Sequence, residues 1–126
     1  MLVDTDVLID FLRGRPEARE FVAGLPRDAA VSAITVAELF VGVREGDERV
    51  ALGAMLSTFR VLPLDVDIAA QGGLLRRDFG KSHGVGLNDA LIGATALAHD
   101  IPLATLNIKH YPMLLAEQLI QPYLKH

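Results

Sequence analysis

The chain has 126 residues, a length that suits one domain with a real hydrophobic core, and its 51% apolar content rules out a disordered chain. A net charge of −4 and the absence of tryptophan argue against a protein that holds nucleic acid by bulk electrostatics or on a base-stacking platform. Cysteine is absent, so disulfides and thiolate metal sites are excluded, and with no basic leader and no long apolar run the expected location is the cytoplasm.

Leu2 and Val3 precede Asp4-Thr5-Asp6 and read as a short buried strand that ends at Asp4. A helix starts within two residues, with Leu8, Phe11 and Leu12 at helical spacing and Gly14 at its end. Pro16 suits the first turn of the next helix, whose stripe of Ala18, Phe21, Val22 and Leu25 runs to Pro26. Ala29 to Ser32 is short and apolar, a second strand. Val36, Leu39, Phe40 and Val43 form a further helical stripe that closes near Gly46. Asp47 or Glu48 opens another helix with Leu52, Met55, Leu56 and Phe59 inward. Val61 and Leu62 make a third strand, stopped by Pro63.

The pattern predicts a longer helix from about Val66 to Phe79, with Ile68, Gly72, Leu75 and Phe79 inward, and a loop over residues 80–86. Gly72-Gly73 weakens that helix by roughly 1 kcal/mol per glycine. Residues 90–98 are apolar on nearly every side and read as a buried central helix. Leu103 to Leu106 is a fourth strand, residues 107–112 a loop, and residues 118–121 an edge strand. Strands alternate with helices, so the expected fold is a single α/β domain over residues 1–126 with a central parallel sheet of four to five strands flanked by helices.

Three acids recur at one kind of place. Asp4 ends the first strand, Glu38 follows the second strand, and Asp89 stands at the head of the buried helix. Strand ends and helix starts share one edge of a parallel sheet, the edge where ligands bind. Each acid has a structural alternative. Thr5 or Asp6 starts the first helix as an N-cap, which leaves Asp4 unexplained, Thr35 and Glu38 fit a capping box, and Asp89 favours a helix dipole beside an ordinary N-cap at Asn88. It is the coincidence of the three that points to chemistry. Converging carboxylates repel unless a cation sits among them, and hard oxygen ligands suit Mg²⁺ or Mn²⁺. Such ions activate water and clamp phosphate oxygens, which makes phosphodiester hydrolysis the reaction class. The chain carries no P-loop, no nucleophile elbow and no dinucleotide fingerprint, and His83, His99, His110 and His126 show no close ligand spacing. Arg13, Arg15 and Arg19, and further on Arg76, Arg77 and Lys81, are either solvated helix faces or phosphate contacts.

In MLVDTDVLIDFLRG, VSAITVAELFVGV and LNDALIGATALAHDIPLATLNIKHY, the order and spacing of the motifs resemble the PIN-domain family, and more narrowly the VapC toxins of toxin–antitoxin pairs. The resemblance covers essentially the whole chain. It implies a PIN-like fold and a Mg²⁺- or Mn²⁺-dependent endoribonuclease, with Asp4, Glu38 and Asp89 as metal-binding and catalytic acids. It further implies tRNA or ribosomal RNA as substrate, a cognate VapB-type antitoxin that covers the acidic site, and a homodimer. The family's fourth acid falls at positions that are Asn107 and His110 in this chain; Asn107 supplies an oxygen without charge and His110 is a poor ligand for a hard cation. Two alternatives stand beside this reading. One is a catalytically silent PIN-like binding module. The other is a haloacid-dehalogenase-like phosphatase, which Asp4-Thr5-Asp6 fits superficially but which lacks its late acidic motif here.

Overall fold

A computed structural model of the protein describes residues 1–125. In chain order, the strands are β1 (Leu2–Val3), β2 (Ala30–Ser32), β3 (Arg60–Leu62), β4 (Leu103–Ala104) and β5 (Leu119–Ile120). The helices are α1 (Thr5–Leu12), α2 (Pro16–Ala23), α3 (Ala33–Val41), α4 (Asp47–Leu56), α5 (Val66–His83) and α6 (Leu87–His99). The strands form one parallel sheet, as the alternation of elements predicts, and their order is β3-β2-β1-β4-β5.

The central strand β1 pairs with β2 on one side and β4 on the other, through Leu2 opposite both Ala30 and Leu103. The chain winds outward from β1 to β3 in one direction and resumes at β4 in the other. The crevice beyond the carboxyl ends of β1 and β4 is therefore the switch point of the topology, where such sheets bind ligands. Asp4 and Thr105 are the first residues past those two strand ends.

Successive strand residues point to opposite faces, and the core divides accordingly. Leu2 packs with Ile92, Ala96 and Leu103 under α6, while Val3 packs with Val7, Leu8, Leu39 and Leu52 under α1, α3 and α4. Helix α5 lies outside α6, sealed by Ile68, Leu75, Val85, Ala90 and Ala94. Gly72 is what permits that approach: a Cβ there would come within 2.5 Å of Leu91 Cδ2 and 3.1 Å of Leu91 Cα. Gly73 meets nothing within 4 Å and has no such role.

Several local expectations need correction. Helix α3 starts at Ala33 because Ser32 is its N-cap, with Oγ accepting from Ile34 N–H at 3.0 Å. Thr35 lies inside the helix and there is no Thr35–Glu38 capping box, which leaves Glu38 free for other partners. The same helix ends at Val41, before the expected Gly46. Helix α5 runs on to His83, four residues past Phe79, and stops where Gly84 adopts the left-handed conformation with φ +65°. Helix α6 is capped by Gly86, not Asn88. Strand β4 is two residues long, and the chain leaves the sheet at Thr105.

Candidate active site

Asp4 caps α1 and is 5% exposed. Its Oδ1 accepts from the Thr5 N–H at 2.8 Å, and its Oδ2 accepts from Thr105 Oγ1 at 2.8 Å and from the Tyr111 hydroxyl at 2.9 Å. Burial, reinforced by the charge of Asp6, pushes the Asp4 carboxyl up to about 7 despite these donors. Asp6, in the first turn of the same helix, accepts at Oδ2 from the Leu106 N–H at 3.0 Å. Its Oδ1 is buried without a partner, and burial raises this carboxyl as well.

Asp89 stands in the first turn of α6. Its Oδ1 lies 3.4 Å from the Tyr111 hydroxyl, the same oxygen that donates to Asp4. Its Oδ2 lies 3.1 Å from His110 Nδ1. Two carboxylates far apart in sequence, one at the head of α1 and one at the head of α6, thus border one phenol. Glu38 arrives from α3: Oε1 accepts from Thr5 Oγ1 at 2.7 Å, and Oε2 lies 3.4 Å from Asn88 Nδ2. Its partners are the chain neighbours of Asp4 and Asp89, so it shares their edge without touching either. Asn107 is exposed; its backbone N–H donates to Thr105 Oγ1 at 3.0 Å.

Thr5, Asp6, Thr105, Tyr111 and His110 therefore belong to the site beside the acids singled out above. The sequence offers Asp6 only as a helix start and as the second acid of the phosphatase alternative, although its place three residues after the end of β1 could have raised it. Of the basic residues, Arg15 stacks on Tyr123 at 5.7 Å and Arg19 on Phe11 at 5.4 Å, which occupies both in holding the fold.

The donor set fits a hard divalent cation in its chemistry, since its acids offer oxygen ligands and burial raises two of those carboxyls, Asp4 and Asp6. Among the described residues, no three of His, Asp and Glu stand close enough to form a ready-made cage. Mg²⁺ does not require one; it is ordinarily held by one or two carboxylates and keeps several waters. Asp4 and Asp89 are the two carboxylates that border the Tyr111 hydroxyl, and Glu38 lies on the same edge.

The PIN domain pattern matches residues 1–111 of this chain. The chain is 42% identical over 126 residues to Ribonuclease VapC10 of Mycobacterium tuberculosis, covering 98% of this chain and 92% of that protein. It is 40% identical over 116 residues to Ribonuclease VapC19 of the same organism, covering 89% and 92% respectively. Among solved structures, a toxin–antitoxin complex from Klebsiella pneumoniae superposes with a TM-score of 0.83 at 33% identity, covering 98% of both chains. FitAcB from Neisseria gonorrhoeae superposes with a TM-score of 0.74 at 29% identity, covering 96% of both. With its fold, its acidic crevice and relatives of this identity over nearly the full length, the chain belongs to the PIN-domain family, among the VapC ribonucleases.

Proposed function

We propose that the chain, acting as one domain over residues 1–126, is the endoribonuclease toxin of a toxin–antitoxin pair and cuts RNA with the help of Mg²⁺ or Mn²⁺. The observation that carries this reading is the meeting of Asp4 and Asp89 at one Tyr111 hydroxyl, in the crevice between β1 and β4, with Glu38 on the same edge. The relatives named as ribonucleases support the substrate class. Because Asp4 and Asp89 carry their carboxylates to the crevice, they would hold the cation, and Glu38 would orient a water through its free lone pairs. A bound cation supplies a nucleophilic hydroxide and stabilises charge on the scissile phosphate. Asn107, exposed at the rim, offers a neutral oxygen to a water or a phosphate. The phosphatase alternative falls with the family assignment, and nothing in the site favours a silent module.

The partner of this reading is a VapB-type antitoxin, by analogy with the toxin–antitoxin complex from Klebsiella pneumoniae that the fold matches. A groove of about 620 Å³ between α1, α3 and α4 is lined by Ile9, Leu12, Leu39 and Val43 and reaches Glu38. An amphipathic antitoxin segment would lie there and present a cationic side chain to the acids. Phe11 and Phe21 pack on the core beneath that face, leaving Phe40, 39% exposed, as the aromatic at hand for contact. A homodimer in the cytoplasm acting on tRNA or ribosomal RNA completes the proposal.

The test is incubation of purified chain with total cellular RNA in Mg²⁺, in Mn²⁺ and in chelator, alongside growth on expression with and without the neighbouring antitoxin gene. Cleavage in either metal, none in chelator, and growth arrest relieved by the antitoxin are expected. Chelator-resistant cleavage would reject the metal role, and intact RNA in every condition would reject the nuclease.

A further inference from the structure

Tyr111 is the largest fully buried side chain of the protein, at 1% exposure, and its ring packs in the core beside Leu2, Ile92 and Leu103. The buried ring is ordinary core material. Its hydroxyl is not, because it projects out of that core between two acids, 2.9 Å from Asp4 Oδ2 and 3.4 Å from Asp89 Oδ1.

We infer that the Tyr111 hydroxyl is a positioning residue that sets the separation of the Asp4 and Asp89 carboxylates and thereby the affinity of the crevice for a divalent cation. The inference rests on the metal-dependent reading above. Three features of the geometry carry it. The phenol cannot move to follow either acid, since its ring is clamped on the core side. It has one proton for two acceptors: the bond at 2.9 Å goes to Asp4, and Asp89 stands at 3.4 Å from the same hydroxyl, so one immobile group borders both carboxylates. Asp4 Oδ2 receives a second hydroxyl, from Thr105 Oγ1 at 2.8 Å, which fills its two acceptor positions and leaves the free lone pair of Asp4 on Oδ1, beside the Thr5 N–H. Neutral donors of this kind restrain the carboxylates without the charge that would compete with a cation.

Two other hydroxyls serve partners away from the two crevice acids. Thr95, also buried, spends its hydroxyl on the Leu91 carbonyl of its own helix at 2.8 Å. Tyr123, the only other tyrosine, gives its hydroxyl to Asp10 Oδ2 at 2.9 Å, away from the crevice acids. Tyr123 therefore serves as an internal reference.

The experiment is a Mn²⁺ titration of the full chain, read by the electron paramagnetic resonance of free Mn²⁺, for wild type and Tyr111→Phe. Phenylalanine keeps the ring and removes only the hydroxyl. The expected result is a Mn²⁺ affinity weakened by about 10-fold or more, the usual consequence of removing a group that orients a metal ligand. A merely structural role would lower the melting temperature of the variant and leave its Mn²⁺ affinity unchanged, which would overturn the inference. A second measurement needs no variant: in chain labelled with ¹³C at the tyrosine Cζ, Mg²⁺ should shift the Tyr111 resonance in step with saturation and leave that of Tyr123 in place. Saturation without movement of the Tyr111 resonance would also overturn it. Failure of the wild-type chain to take up either cation would instead reject the metal-dependent reading itself, and this inference with it.

Discussion

Thr5 Oγ1 donates to Glu38 Oε1 at 2.7 Å while lying 3.0 Å from Thr35 Oγ1. A threonine has one hydroxyl proton, so giving it to Glu38 makes Thr35 the donor to Thr5. This relay ties the first turn of α1 to α3 and turns the Glu38 carboxylate toward the crevice. The Thr5 backbone N–H meanwhile donates to Asp4 Oδ1.

Thr5→Val keeps the shape of the side chain and removes the donor. Losing a hydrogen bond to a carboxylate costs about 1.5–3 kcal/mol when the group stays buried. Glu38 is half-exposed, so the lower end applies, and cleavage should fall about 10-fold. Initial rates on a defined RNA under saturating Mg²⁺ measure this. A rate equal to wild type would mean that Glu38 does not depend on Thr5 for its orientation.

Asp10 anchors the other end of α1. Its carboxylate accepts from Tyr123 at 2.9 Å and Lys125 Nζ at 3.0 Å, and Arg15 Nε stands 3.9 Å away. The carboxylate is covered only thinly, by these C-terminal side chains. Burial works to raise it, but the bonds from Lys125 and Tyr123 and the charges of Lys125 and Arg15 outweigh burial and hold it below the usual carboxylate range. A lowered folded value means that the stabilisation is fully present above the unfolded value of 3.8 and is lost as pH falls through the folded one. Asp10→Asn should therefore cost about 1–2 kcal/mol near neutral pH. That difference should shrink below the unfolded value. Urea unfolding of both proteins across the acid range checks the sign; a gap that widens on acidification would contradict it.

The paired glycines of α5 give a sharper contrast. Gly72→Ala drives a methyl into Leu91 and should destabilise by about 1–3 kcal/mol, because the nearest contacts include backbone that cannot give way. Gly73→Ala meets open space and should stabilise by up to about 1 kcal/mol through helix propensity. Thermal unfolding of the two single variants distinguishes them, and shifts of the same sign would refute the packing argument.

The difference between those glycines marks a limit of sequence reading. Gly72-Gly73 announces a weakened helix, but which residue faces α6 depends on how two helices cross. The sheet was legible because short apolar runs alternate with helical stripes, but the order of strands around β1 depends on which way each crossover turns and is seen only in the fold. Glu38 was legible as a candidate yet came with the wrong rival: Ser32 and Thr35 both suit an N-cap, and only the backbone shows that Ser32 takes it. Tyr111 was read as an aromatic within a loop. Its partnership with Asp4 spans 107 positions in sequence, a distance over which no local pattern carries information.

His110 tests the same rim from another side. It lies 3.1 Å from Asp89 Oδ2 but is half-exposed, and an imidazole is a poor partner for a hard cation. His110→Ala should change cleavage by less than about 10-fold, whereas Asp89→Asn should remove most of it. An equal loss from both, measured on one RNA, would assign His110 a role in the chemistry itself.

The most direct measurement is cleavage of RNA by Asp4→Asn in Mg²⁺ and in Mn²⁺, with growth on expression without antitoxin as a parallel readout. Asparagine keeps the size of the side chain and changes its charge and coordination. The account predicts a loss on the order of 10²-fold or more, the scale expected when a principal electrostatic group leaves an active site, together with loss of toxicity. Full cleavage and full growth arrest by a folded Asp4→Asn protein would contradict it.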